Sequence, residues 1–337
     1  MASLTGKEFS VYRPKEGKVI ADTVTIPEPG PHDVIIRITH SGVCYTDYEF
    51  FRFNAPLALG HEGVGIVEAI GSAVTSLKLG DRVGGGFHND SCGQCNYCTT
   101  GQDIWCAKRT IFGFGGYNNG TFGAYFVGKE GYVHKIPDGL TSADAAPLQC
   151  AGATVYTALV DTLKPRHRVG IIGIGGLGHL AIQYAAKLGA EVVVFSTSKD
   201  KEQEAPGFGA SEFVLLSEPE SVKAPVDILV LTGSKYPDWS KFLNTNVLAR
   251  RGTVIPLAAP TQGPLTLPAD KLFWDGYQIQ STLVASKAQH NDMLEFSARH
   301  GIKPTIQVYK FNGPETIESV FDKLKDGKVR YRAVLEF

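Results

Sequence analysis

The stretch "RVGIIGIGGLGHLAIQYAAKLGAEVVVF" (168–195) decides how this chain is read. Its first residues form an apolar, glycine-broken run that fits a buried strand. Leu177, Leu180, Ala181, Tyr184 and Leu188 then recur at helical spacing, the period that sets one face of a helix against a core. Gly189 stands where a left-handed cap ends such a helix. "EVVVF" (191–195) supplies a second buried strand. Between the first strand and the helix lies "GIGGLG", with Gly173, Gly175 and Gly178 in the pattern G-x-G-x-x-G. Alone the hexapeptide is weak, but strand, loop, helix and strand in this order are the context a dinucleotide-binding loop requires. Gly173 permits the tight turn, Gly175 lets the backbone approach a pyrophosphate, and Gly178 allows close helix–strand packing. Gly176 and Leu177 complete the loop, whose helix N-terminus offers free N–H groups to phosphate.

Further apolar runs follow at "VDILVLTG" (226–233), "GTVIPLAA" (252–259) and "YQIQSTLV" (277–284), separated by helix-length segments. Repeated alternation of this kind predicts a doubly wound parallel sheet over residues 151–284. The texture before residue 150 is different. "DVIIRITHSGV" (33–43), "GVGIVEAIG" (63–71) and "LKLGDRVGGG" (77–86) are short β-rich runs between turn signals, which predicts an irregular, mainly β domain. The closing "VRYRAVLEF" alternates like a strand and can return to that first domain. The expected division is therefore 1–150 with 285–337, and 151–284.

The choice of dinucleotide turns on the end of the second strand. A site that prefers NAD places an acidic residue there for the ribose 2′-hydroxyl. This chain has Ser196, then Thr197 and Ser198, with Lys199 and Lys201 close behind. Hydroxyls and ammonium groups suit a 2′-phosphate that a carboxylate would repel. The expected cofactor is NADP(H).

The six cysteines fall into two sets. Cys92, Cys95, Cys98 and Cys106 are spaced C-x2-C-x2-C-x7-C, which fits a closed tetrahedral zinc site with a thiolate at every position. Cys44 and Cys150 stand far apart. His61, in "GHEGVG" (60–65), is the natural third member of a set that leaves one zinc position open. Taken singly, a buried cysteine such as Cys150 is more often a small core residue than a ligand.

Bulk properties exclude several functions. Of 337 residues, 33 are basic and 34 acidic, a net charge of −1, so there is no electrostatic case for nucleic acid or an anionic membrane. No run is apolar enough to span a bilayer, and "MASLTGKEFSVYRP" lacks the apolar core of a signal peptide. A cytoplasmic location and reduced cysteines are expected.

"GHEGVGIVEAIG" (60–71) resembles the G-H-E signature of zinc-dependent medium-chain alcohol dehydrogenases. "GVCYTD" (42–47), "GDRV", the four-cysteine stretch and "AAPLQCAGATVYTAL" follow in that family's order. "VGGGFHNDSCGQCNYC", "FSTSKDK" and "VRYR" look closest to its NADP-dependent, cinnamyl alcohol dehydrogenase-like branch. The resemblance implies a GroES-like domain joined to a Rossmann domain, and a homodimer or homotetramer. It implies that Cys44, His61 and Cys150 hold a catalytic zinc, with Cys92, Cys95, Cys98 and Cys106 holding a structural one. Asp47 would orient the histidine ligand, Glu62 would approach the metal during ligand exchange, and Thr46 would relay a proton. Arg332 resembles a pyrophosphate contact. The implied activity is hydride transfer between NADPH and an aromatic or medium-chain aldehyde, with reduction of an activated C=C or C=N bond as the alternative.

Two departures stand out. Glu49 occupies the position, five residues past the first cysteine ligand, where many relatives carry a relay histidine. Sixteen residues separate Cys44 from His61, a short linker rich in aromatic rings. Tyr48, Phe51 and, further on, Phe87 are the expected lining of a pocket for flat or apolar substrates.

Overall fold

The computed structural model describes residues 4–233, 235–257 and 264–337. The chain divides into two compact units, residues 1–153 with 284–337 and residues 154–283. The division falls inside a continuous helical run, Ser142–Pro147, Leu148–Gly152 and Ala153–Val160, three residues later than the texture of the sequence suggests.

The first unit contains strands β1 (Glu8–Lys15), β2 (Lys18–Thr25), β3 (Asp33–Val43), β4 (Glu62–Ile70), β5 (Arg82–Gly85), β6 (His88–Asp90), β7 (Thr110–Ile111), β8 (Tyr125–Lys129) and β9 (His134–Lys135). The second holds β10 (Arg168–Ile172), β11 (Glu191–Ser196), β12 (Glu212–Leu215), β13 (Val226–Leu231), β14 (Leu248–Pro256) and β15 (Gln278–Ile279). The chain then returns to the first unit with β16 (Ile306–Lys310) and β17 (Arg332–Glu336). Strand β17 pairs antiparallel with β3, Val334 opposite Gly42, so the C-terminal strand is indeed part of the β-rich unit. The main sheet there runs β16-β17-β3-β4-β5-β9, with β8 also on β3. Long β-branched runs explain β3: Val34, Ile35, Ile36 and Ile38 are all buried, as suits a central strand packed on both faces.

The second unit is a parallel sheet of order β12-β11-β10-β13-β14-β15, the doubly wound order in which the first strand lies at the switch point. Val192, Val193, Val194 and Phe195 of β11, and Ile228, Leu229, Val230 and Leu231 of β13, are buried. The helix after the glycine loop spans Gly178–Lys187 and is followed by Gly189 at φ +93°. Pro206 and Gly207 reduce the helix after β11 to Ala205–Phe208, because proline and glycine both disfavour a longer run. Ala258 and Ala259, expected at the end of one strand, lie outside the described residues.

Candidate functional site

Cys44 follows β3 directly and precedes the helix Tyr45–Arg52, and its extended backbone caps that helix. Asp47, fully buried, accepts the Cys44 N–H at 3.0 Å and the Gly60 N–H at 3.0 Å, and pairs with His61 Nδ1 at 2.9 Å. A carboxylate only accepts, so His61 donates to it from Nδ1 and Nε2 is the ring nitrogen left for an ion. That Nε2 is buried with no hydrogen-bond partner. Cys44, His61, Glu62 and Cys150 each bring one ligand atom within 4.8 Å of the others. The Cys44 thiol is held well below its ordinary value, first by hydrogen bonding with Cys150 and then by His61.

A buried imidazole nitrogen without a partner, beside two thiols, costs free energy unless an ion takes it up. The donor set of two sulfurs and one nitrogen fits zinc with a position left open. The ring of His61 is fixed by stacking on Phe112 at 4.5 Å and by an edge-to-face contact with Phe87 at 5.8 Å.

Glu62, the fourth member of this cluster, is fully buried and ion-paired with Arg332, whose Nη2 donates to both carboxylate oxygens, 2.6 Å from Oε2. Glu62 begins β4, Arg332 begins β17, and β3 lies between them. Gly42 of β3 makes the crossing possible, since a Cβ there would overlap Glu62 Oε2. Arg332, read from the sequence as a pyrophosphate contact, is thus engaged with Glu62, and its Nε is buried without a partner.

The four-cysteine stretch forms the second cluster. Cys92, Cys95, Cys98 and Cys106 lie within 4.8 Å of one another, with sulfurs 3.5 Å apart for Cys106–Cys92 and 3.6 Å for Cys95–Cys98. These separations exceed a disulfide bond of roughly 2.05 Å and suit thiolates around one ion. Backbone N–H groups of Gln94 and Cys95 bring the Cys92 thiol down to about 6, and the Ser91 hydroxyl, 3.1 Å from Cys98, lowers that thiol. No second coordination role is open to this cluster, which leaves the chemistry to the first.

The remaining expected residues are distributed as follows. Thr46 Oγ1 lies 3.7 Å from the Cys44 sulfur. Glu49 is buried, with Oε1 accepting from Arg52 at 2.9 Å and Oε2 unpartnered. Tyr48 and Phe51 pack against Phe321 at 5.7 and 5.2 Å, within the apolar cluster that also holds Ile317 and Val320. Of the three rings expected in a pocket, Phe87 makes a ring contact with His61.

In the second unit the loop behaves as its glycines require. Gly173 has φ +96°, a Cβ on Gly178 would overlap the Gly173 carbonyl, and the space beyond Gly175 is open. Thr232 Oγ1 lies 2.9 Å from both the Ile172 and Gly173 carbonyls and pins the loop, a role no sequence pattern announced. Lys201 Nζ donates to the Ile174 carbonyl at 2.7 Å, which brings the segment after β11 to the glycine loop. Ser196 ends β11, and the Ser198 hydroxyl donates to Asp200.

Residues 30–138 match the model of the alcohol dehydrogenase GroES-like domain. The chain is 36% identical over 321 residues to the probable formaldehyde dehydrogenase AdhA of Bacillus subtilis, covering 91% of this chain and 90% of that one. It is 36% identical over 329 residues to the NADP-dependent alcohol dehydrogenase C of Mycobacterium bovis, covering 93% of each. A cinnamyl alcohol dehydrogenase structure from Sorghum bicolor superposes with a TM-score of 0.89 over 98% of both chains, at 29% identity. With a sulfur–imidazole cluster on one unit and a dinucleotide loop on the other, the chain belongs to the zinc-dependent medium-chain alcohol dehydrogenase family and is an oxidoreductase acting on CH–OH groups.

Proposed function

We propose that the chain is an NADPH-dependent reductase of aromatic or medium-chain aldehydes that works with a catalytic zinc held by Cys44, His61 and Cys150. The unpartnered, buried Nε2 of His61 beside two thiols carries this reading. When bound, zinc would polarise the substrate carbonyl as a Lewis acid, and the reduced nicotinamide would supply hydride.

The chain's own residues do the rest. Asp47 fixes the tautomer and angle of His61, as a buried carboxylate does for a ligating imidazole. Thr46 Oγ1 hands a proton to the reduced oxygen, and Glu49, in place of the relay histidine, takes part in supplying the proton that replaces it. Arg332 serves Glu62, whose carboxylate it holds in an ion pair and so restrains from occupying the open position. Phe87 shapes the wall over His61 for a flat substrate. Gly173, Gly175, Gly176, Leu177 and Gly178 take the pyrophosphate. Ser196, Thr197, Ser198 and Lys201 take the 2′-phosphate, with Lys201 already tied to the loop at Ile174.

A second reading, reduction of an activated C=C or C=N bond, is favoured by the Glu49–Arg52 ion pair. That pair occupies one of the two oxygens a proton relay would use, and a carbon or nitrogen acceptor needs less help with an alkoxide. NADPH oxidation measured across cinnamaldehyde-like aldehydes, enals and iminium compounds, with and without chelator, separates the two. Preferential turnover of simple aldehydes supports the first, and turnover confined to the C=C or C=N of the others replaces it.

Among the described residues no helix is long and apolar enough to cross a membrane. All six cysteines lie in the two candidate metal clusters, which supports a reducing, cytoplasmic setting. Edge strand β15, with Ile279, Phe273 and Trp274 exposed, supports a homodimer or homotetramer, since an apolar open edge is otherwise a liability.

A further inference from the structure

Cys150 sits on a wide helical turn, Leu148–Gly152, in which the Ala153 N–H reaches back to the Leu148 carbonyl. Such π turns are rare and gather at functional sites. Cys150 follows Gln149, an amide with no exposed surface. Gln149 Nε2 donates to the Ala145 carbonyl at 3.0 Å, which turns Oε1 toward His290 Nε2, also 3.0 Å away. His290 must therefore donate from Nε2. It comes from the distant helix Lys287–His300 and stacks face to face on His134, ring centroids 3.9 Å apart and planes 5° from parallel. His134 in turn meets Asn291, the next residue of that helix, at 2.7 Å.

The amide has nowhere else to go. A Cβ on Gly84 would lie 2.6 Å from the Gln149 amide carbon. The cavity beside Gln149, His134 and His290 leaves about 10 Å³ for a water centre, enough for one water at most.

We infer that Gln149 and His290 are positioning residues that clamp the π turn and hold the Cys150 sulfur in place for the metal. The inference rests on the reading of Cys44, His61 and Cys150 as zinc ligands. Leucine fits the volume of the buried amide and, at 290, removes the donor. The double variant Q149L/H290L removes both partners together and leaves neither buried group orphaned, so the fold is kept.

The test is release of zinc from the holoenzyme to a chromogenic chelator, followed in the wild type, Q149L/H290L, His290→Gln and Cys150→Ser, with the four-cysteine zinc as internal standard. Loss of a partner behind a metal ligand typically weakens metal binding by about 10–100-fold. The expected result is one zinc leaving Q149L/H290L about tenfold faster or more, the other unchanged, and near wild-type release from His290→Gln, which keeps an N–H for Gln149. A cobalt-loaded sample should show a shifted thiolate charge-transfer band in the double variant only. Wild-type release and an unshifted band in Q149L/H290L, while Cys150→Ser loses one zinc, would overturn the clamp and leave the metal site standing. Retention of both ions by Cys150→Ser would overturn the metal site itself.

Discussion

Asp47 and His61 are joined by a fully buried hydrogen bond of 2.9 Å, and the same carboxylate closes the backbone at Cys44 and Gly60. One side chain thus links the end of β3, a helix start and the segment before β4 that carries the imidazole. Replacing Asp47 with Ala removes the partner that sets the His61 tautomer. Zinc affinity at that cluster should fall by about 10–100-fold, with the four-cysteine cluster unaffected, as read by competition with a chelator of known affinity.

Glu62 reaches Arg332 across Gly42. Gly42→Ala places a methyl group where the carboxylate lies, so the ion pair must separate or the strands must move. Overpacking a tight site costs roughly 1–3 kcal/mol, and the loss should appear as a lower urea midpoint. The substitution alters no proposed ligand, so an unchanged midpoint would show that the crossing has slack.

Burial pushes His134 down to about 4 and holds His290 well below its ordinary value. His88 and His134, both buried nearby, add to the effect on His290, while Asn291 favours protonation of His134. An unfolded histidine takes up its proton near pH ~6.5. Between that pH and about 4 the unfolded chain binds more protons, so stability is full above the upper value and falls as pH drops. Each such histidine should contribute a slope of up to about 1.4 kcal/mol per pH unit in that window. Urea unfolding at pH 7.5, 6 and 5 measures it, and a substitution of His290 should flatten the curve.

Ser196 ends β11 at the place where an acidic residue would select NAD. Ser196→Asp should raise KM for NADPH by about tenfold or more and lower it for NADH, because the carboxylate repels the 2′-phosphate and accepts from the 2′-hydroxyl. Initial rates with both cofactors check this, and an unchanged ratio would move the selectivity to Thr197, Ser198 and Lys201.

Much of this was legible in the chain before any coordinates. The glycine loop with its flanking strands announced the doubly wound unit, and the spacing of Cys92, Cys95, Cys98 and Cys106 announced one closed cluster. Local patterns of this kind carry their own geometry. The other cluster was legible mainly through family resemblance, because Cys44 after β3, His61 before β4 and Cys150 on a helical turn converge through tertiary structure that no short motif encodes. The partners behind it were less visible still. Gly42 looks like any strand glycine until β3 is seen between Glu62 and Arg332. The pairing of Arg332 with Glu62 spans 270 residues, so no local pattern shows it. Gln149 and His290 meet across 141 residues, and the packing of Tyr48 and Phe51 on Phe321 joins segments that no local pattern connects.

The central claim is that the chemistry belongs to the cluster of Cys44, His61 and Cys150. Its most direct test is zinc content and NADPH-dependent aldehyde reduction of Cys150→Ser, with NADPH affinity measured separately by fluorescence. The account predicts one zinc per chain where the wild type has two, loss of reduction by about a thousandfold or more, and unchanged NADPH affinity. Two retained zinc ions, or aldehyde reduction close to the wild-type rate, would contradict it.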